Sequence, residues 1–258
     1  MTTTARVFIG TEPRMWVAET VLRYSIERHA SIPAEIVSMD YSRGGVWGGW
    51  EIGRPRGLPA KLRADQRGEE VWFTDFTNYR WAIPEACGFQ GRAVYMDVDM
   101  LVLGDVNELM EIPMPTPIRS LSPGETSVMV VDCAAMRNVR GWPRIDEMKA
   151  NRWSLRRYVA LLAEQGAFSP LPPEWNCLDG RGFTLTGTRL VHYTDMSSQP
   201  WRPYPERLHY RAHANPEVES LWFHYAARAR EAGRFDTVPR IEWDERDGQE
   251  RYAAAAAR

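Results

Sequence analysis

The chain has 258 residues, 44% hydrophobic and 26% charged, with 32 Lys+Arg against 34 Asp+Glu for a formal net charge of −2. This composition suits a globular chain with a sizeable core. The near-neutral balance argues against nucleic acid or an anionic membrane surface as the main partner, and no apolar run approaches the roughly 20 residues of a transmembrane segment. The N-terminus lacks the apolar region of a secretory signal. Cys87, Cys133 and Cys177 have no metal-type pairing, so reduced, buried thiols in a cytoplasmic protein are expected.

Strand-like and helix-like stretches alternate along the chain, which predicts an α/β fold. Arg6 to Ile9 reads as a first buried strand closed by Gly10. Val17, Val21, Leu22 and Ile26 then recur at helical spacing, and Pro33 separates that helix from a second strand over 34–39. Residues 41–70, rich in Gly and Arg, read as a long surface loop. The arginines in it (Arg43, Arg54, Arg56, Arg63 and Arg67) are expected to be solvated, with attraction of an anionic acceptor as the alternative. A short helix is expected over 79–87 despite Pro84. Arg92 to Met96 is the strongest strand and runs into Asp97-Val98-Asp99 and the apolar Met100 to Leu103. Thr126 to Val131 is a further strand, and Asp132 caps a helix starting at Cys133. Residues 153–165 read as helix, 171–176 as a Pro-stiffened loop, 189–193 as a last strand and 216–234 as an amphipathic helix. Without a linker or repeat, one domain over 1–240 is expected, with a frayed tail at 241–258.

Asp97 and Asp99 carry the first chemical signal. Two carboxylates two residues apart at the end of a strand point to one side and can share a cation, and in open α/β sheets ligands gather at the carboxyl ends of strands. His192, at the end of the last predicted strand, would complete an O,O,N set that suits Mn²⁺ or Mg²⁺ bound with a diphosphate. Trp175, Trp201 and Tyr204 are candidates to stack on a sugar, with core packing the equal alternative.

These residues resemble the GT-A fold glycosyltransferases, and within them the retaining family 8 enzymes of the galactosyltransferase and glycogenin group, over roughly residues 6–205. The phrase Val94-Tyr95-Met96-Asp97-Val98-Asp99-Met100-Leu101-Val102 is similar to the family's metal motif, and Gly104 to Leu109 continues it. The resemblance implies a single open mixed sheet flanked by helices, a nucleotide-diphosphate sugar donor of the UDP-linked kind, and transfer with retention. It implies Asp97, Asp99 and His192 as ligands of Mn²⁺ or Mg²⁺, Arg80 as a contact to donor phosphate or sugar, and Gly10, Thr11 and Glu12 as the loop holding the nucleoside. The acceptor (glycan, lipid-linked or small molecule) is left open.

Several positions depart from the pattern. Asp195 stands where the family motif after His192 has Gly, Gln199 where it has Lys before Pro-Trp, and Glu125-Thr126-Ser127 where it has Asn-x-Gly. Arg202 is a candidate replacement for the missing cation. The family's Asp-Gln pair is echoed only by Glu164-Gln165, to which no catalytic role is carried over, so the catalytic side chain is unassigned. The chemistry needs no strong base, because a departing phosphate oxygen can take the acceptor proton. Two alternatives stand beside the transferase reading: a catalytically silent nucleotide-sugar-binding protein of the same fold, and a sugar nucleotidyltransferase.

Overall fold

The computed structural model describes residues 4–50, 74–151, 155–203, 205 and 208–235. The expected tail, Arg54, Arg56, Arg63, Arg67 and Tyr204 lie outside them. The main sheet is built from β1 (Arg6–Gly10), β2 (Glu35–Met39), β3 (Arg92–Asp97), β5 (Ile118–Ser120), β6 (Val128–Asp132) and β7 (Phe168–Pro170), in the order β2-β1-β3-β6-β5-β7. β1 runs parallel to β2 and β3, β6 antiparallel to β3 and β5, and β7 parallel to β5. The sheet is therefore open and mixed. Beside it β4 (Met100–Val102), β8 (Cys177–Leu178) and β9 (Leu190–His192) form a smaller sheet in the order β4-β9-β8.

β1 and β2 are joined by α1 (Trp16–His29), the crossover that a parallel pair requires. Val17, Ala18, Val21, Leu22 and Ile26 form its buried stripe, and it packs against β4 and against α7 (Pro216–Glu231). Ser25 on α1 accepts the Val102 backbone N–H at 3.1 Å, which ties the small sheet to the helix layer. α7 starts at Asn215, whose side chain accepts the Glu217 and Val218 backbone N–H groups.

The 79–87 region is not one α-helix. A 3-10 run over Asp75–Ala82 leads into α2 (Ile83–Ala86), with Pro84 in the first turn where its missing N–H is harmless. α3 (Glu108–Glu111), α4 (Cys133–Met136), α5 (Ile145–Asn151) and α6 (Leu155–Glu164) complete the described helices. Cys87, Cys133 and Cys177 are free and buried, as expected. No helix among the described residues is long and apolar enough to cross a membrane.

Candidate active site

The site forms where the chain passes from the main sheet to the small one. Asp97 is the last residue of β3 and lies opposite Gly10, the last residue of β1, in the parallel register. The two strand ends are knit together: Val98 N–H donates to Gly10 O at 3.0 Å, and Asp97 N–H to Ser127 O at 2.9 Å. Three residues after Asp97, β4 begins; Tyr193 N–H donates to Asp99 O at 2.9 Å, and His192 pairs with Met100. The crossover between sheets thus brings Asp97, Asp99 and His192 together. One ligand atom from each lies within 4.8 Å of the others.

Gly10 makes this approach possible. A Cβ there would stand 2.5 Å from the Tyr95 hydroxyl and 3.0 Å from Phe76 Cδ2, so only a glycine leaves the Tyr95 ring its place. From that place the hydroxyl donates to Asp97 Oδ1 in a short hydrogen bond. Arg80 Nη2 donates to the same oxygen at 2.8 Å, and its Nη1 donates to Thr126 O at 2.6 Å and Thr126 Oγ1 at 3.1 Å. The guanidinium carbon sits 4.5 Å from the centroid of the Tyr95 ring.

Asp99 is held differently. Gln199 Nε2 donates to Asp99 Oδ2 at 3.1 Å and to Tyr193 O at 2.9 Å. His192 Nε2 lies 3.3 Å from Asp99 Oδ1, an ion-pair distance. The contact lacks hydrogen-bond geometry, so that buried oxygen has no donor among the described residues, and Gln199 Oε1 is likewise buried and unpartnered among them. The other face of His192 meets Ser127 Oγ and Asn176 Oδ1, each 3.2 Å from Nδ1.

Burial pushes the Asp97 carboxyl up to about 6; Arg80 opposes the shift and the Asp99 charge adds to it. Burial works against a proton on His192, but the Asp99 carboxylate beside it outweighs burial and raises the imidazole above its ordinary value. Two carboxylates, one of them with a buried oxygen that no donor among the described residues reaches, and an imidazole fit an oxygen-seeking divalent cation with positions left open for phosphate or water. An unpaired buried acceptor is costly on its own, which makes the fit a property of the donors and not only of their spacing.

Thr11 and Glu12, expected beside the nucleoside, are buried just past β1. Thr11 N–H donates to Met39 O at 3.1 Å, and Thr11 Oγ1 to Glu19 at 3.3 Å. Arg43 is not a solvated loop cation: it pairs with Glu19 at 2.7 Å and Asp40 at 3.2 Å. Trp175 and Trp201 are core residues; Trp201 packs on Tyr193 and Trp222 with ring centroids 5.7 and 5.5 Å apart. Arg202 stands 5.7 Å from the centroid of the Tyr210 ring. Glu164 ends α6 and Gln165 follows it in a turn; the Gln165 side chain bonds the Arg140 backbone at 2.9 and 3.0 Å, not Asp97 or Asp99. Sequence reasoning missed Tyr95, Ser127 and Asn176 as site residues. A tyrosine in the middle of an apolar strand was its only signal for the first. For the others the signals were a departure from the family pattern at Ser127 and an Asn closing a Pro-rich loop.

This architecture is that of the GT-A glycosyltransferases, the fold that the sequence implied. Solved structures similar to the chain include the WbbM bifunctional glycosyltransferase in its apo form, with a TM-score of 0.57 and 15% identity over 92% of this chain and 52% of that one. The galactosyltransferase LgtC in complex with donor and acceptor sugar analogues superposes with a TM-score of 0.56 at 11% identity, over 94% of this chain and 99% of that one. The apo glycosyltransferase GlyE of Streptococcus pneumoniae TIGR4 also gives 0.56, at 14% identity over 94% of this chain and 66% of that one. The chain thus spans about half of the WbbM chain and 66% of GlyE. In sequence it is similar to Protein CDI of Arabidopsis thaliana, 25% identical over 226 residues that cover 76% of this chain and 79% of that protein. No family model matches the chain.

Proposed function

We propose that this protein is a metal-dependent glycosyltransferase that moves a sugar from a nucleotide-diphosphate donor, UDP-linked, to an acceptor, with retention of configuration as in the family 8 enzymes it resembles. The observation that carries this reading is the convergence of Asp97, Asp99 and His192 at the crossover between the two sheets, on a GT-A fold. These three residues would hold Mn²⁺ or Mg²⁺. When bound, the ion supplies Lewis-acid neutralisation of the charge that gathers on the departing diphosphate.

The chain's own groups do the rest. Arg80 keeps Asp97 ionised and aimed, and its positive charge lies one carboxylate behind the phosphates. Gly10, Thr11 and Glu12, at the carboxyl end of β1, line the side where the nucleoside would rest. Asp99 is held by Gln199, a neutral amide, so its charge is left for the cation. With the Gln165 side chain engaged by Arg140, no role on the sugar face falls to the Glu164–Gln165 pair. The acceptor proton then goes to the leaving phosphate oxygen. The same observation supports the second reading, a silent nucleotide-sugar-binding protein, which would bind donor without turnover.

Asp99→Asn tests the proposal. The variant is expected to lose Mn²⁺-dependent hydrolysis or transfer of UDP-sugar while its thermal midpoint stays nearly unchanged in buffer above the pH at which His192 gives up its proton, because Asp99 Oδ1 has no donor to lose among the described residues and its charge interaction with His192 is then absent. Full activity in the variant overturns the metal assignment. Release of UDP by the wild type eliminates the silent binder, and release of pyrophosphate would identify a nucleotidyltransferase instead.

A further inference from the structure

His192 has two ring nitrogens in two different settings: Nε2 lies 3.3 Å from the acceptor Asp99 Oδ1 but without hydrogen-bond geometry, so in the neutral ring the groups that bond Nδ1 decide which nitrogen carries the proton. Glu125 Oε1 accepts the Ser127 backbone N–H at 3.2 Å and also the Ser127 hydroxyl, in a short hydrogen bond. The single hydroxyl proton of Ser127 is thereby committed, so its oxygen can only accept. It accepts from Asn176 Nδ2 at 3.0 Å. With its amide nitrogen turned to Ser127, Asn176 presents its carbonyl oxygen to the ring, 3.2 Å from Nδ1. Ser127 Oγ stands at the same distance from Nδ1. Both atoms facing Nδ1 are acceptors. Turning the Asn176 amide around would set its oxygen against Ser127 Oγ, draw the hydroxyl proton away from Glu125 and leave the short Ser127–Glu125 contact without a hydrogen. Ser127, Asn176 and His192 are all buried, with 5%, 3% and 5% exposure, so water does not compete for these bonds.

We infer that Ser127 and Asn176 are positioning residues that hold His192 as the Nδ1–H tautomer, so that Nε2 presents its lone pair to the space shared with Asp97 and Asp99. Glu125 fixes Ser127, Ser127 fixes Asn176, and the two together fix the ring. Hydrogen bonding of the distal ring nitrogen is how a ligating imidazole is oriented and made a better donor. The consequence for metal affinity rests on the function proposed above; the tautomer does not.

Nitrogen-15 NMR of metal-free protein carrying labelled histidine reads the tautomer directly at a pH where the ring is neutral. The chain has five histidines, and the spectrum of His192→Gln assigns the His192 ring resonances as the pair that the variant lacks. The expected result is a protonated Nδ1 and an unprotonated Nε2. A protonated Nε2, or the averaged mixture typical of a solvent-exposed ring, overturns the inference. Affinity for Mn²⁺, measured from the EPR signal of the unbound ion, separates positioning from packing. Asn176→Leu removes the acceptor at similar volume and is expected to weaken Mn²⁺ roughly 10- to 100-fold. Asn176→Asp keeps an acceptor at Nδ1 but trades the donor to Ser127 Oγ for a second acceptor, and is expected to weaken Mn²⁺ less than Asn176→Leu does. Equal weakening in both variants assigns Asn176 to packing and overturns the positioning role. A wild type that binds no Mn²⁺ defeats the metal reading, while the NMR result still decides the tautomer.

Discussion

Arg80→Met removes the guanidinium from Asp97 and leaves an unbranched apolar side chain in its place. The side chains of Arg80 and Asp97 are 4% and 14% exposed, so solvent screens the pair little. Removing one partner of a buried pair costs about 3–5 kcal/mol when the other stays charged. Asp97 has a cheaper course, because its carboxyl already lies at about 6. At pH 7 a carboxyl with that value resists a proton by only about 1.4 kcal/mol, so in the variant it is neutral. Leaving Thr126 O without its donor adds about 1 kcal/mol, for a total near 2–3 kcal/mol. The sign with pH follows from linkage. A carboxyl raised above its ordinary 3.8 makes the native state bind more protons than the unfolded chain, so this carboxyl's contribution to wild-type stability falls as pH rises from about 4 to 6 and then levels. In the variant Asp97 lies higher still, and the fall continues past 6. The difference between the two proteins should therefore grow, from about 1 kcal/mol at pH 5 to 3 kcal/mol or more at pH 8. Urea unfolding followed by tryptophan fluorescence, with a chelator present, measures it. An equal difference at pH 5 and pH 8 would refute the assignment of Arg80 as the group that keeps Asp97 ionised.

Three further outcomes follow from the same contacts. Mn²⁺ must displace protons from Asp97, at about 6, and from the raised His192. Affinity should thus climb between pH 6 and 8, by up to about tenfold per unit for each proton displaced; calorimetry in buffers of different ionisation heat counts those protons, and a flat profile excludes both groups as ligands. Gly10→Ala places a Cβ 2.5 Å from the Tyr95 hydroxyl. It should cost about 1–3 kcal/mol through overpacking and weaken Mn²⁺ by displacing the Asp97 donor, and unchanged stability would show that Tyr95 is free to move. Glu19→Gln loses the pairs with Arg23 and Arg43. Since those arginines are 33% and 43% exposed, they return to water and the loss should be only about 1–2 kcal/mol at neutral pH. Burial opposes the ionised Glu19, but its bonds to Arg43 and Ser38 hold it below its ordinary 4.5. The wild-type advantage is therefore present above pH 4.5 and disappears as pH falls through the lowered value; an advantage that persists in acid would rule out the ion pairs as its source.

The parts of the fold legible in the sequence are those that bury continuous apolar runs. β1, β3 and β6 are covered on both faces, so their sequences show Val, Ile, Met and Tyr without interruption, and the carboxylates at the end of β3 stand out against that run. The short strands are a different matter. Ile118–Ser120 and Phe168–Pro170 contribute three residues each, too few to display a period of two, and are strands only because β6 offers β5 an edge. The second sheet was hidden for a related reason: Met100–Val102 follows β3 so closely that the change of sheet at Asp97 leaves no mark in composition. At the site, the metal-type residues could be named because their chemistry is local to short motifs. Tyr95, Ser127 and Asn176 act through partners far along the chain. The Tyr95 hydroxyl reaches Asp97 only because β1 brings a glycine beside it, and Asn176 meets Ser127 across 49 steps of sequence.

The charges at the crossover bear on why a metal and a donor would bind together. Asp97 and Asp99 are two carboxylates with Glu125 behind them, and the guanidinium beside them, that of Arg80, spends Nη1 on Thr126 and Nη2 on Asp97. Gln199, which touches Asp99, is neutral. A diphosphate brought to this place without a cation would meet Asp97 and Asp99 offset at most by Arg80 and a protonated His192, which leaves no net positive charge among these four groups in a setting where water screens poorly. A divalent cation changes the sign of the balance, because it meets two carboxylates and an imidazole and leaves open positions for phosphate oxygens. The nucleotide should accordingly bind through the cation and not beside it. Thermal unfolding with UDP, GDP, CDP and ADP, each with and without Mn²⁺, tests this coupling, since a ligand that binds only the folded chain raises its midpoint by mass action. A large shift for one nucleotide that requires Mn²⁺ is the expected result. An equal shift without the ion would mean that the nucleotide rests on other groups, and Asp97 and Asp99 would then have no part in holding it.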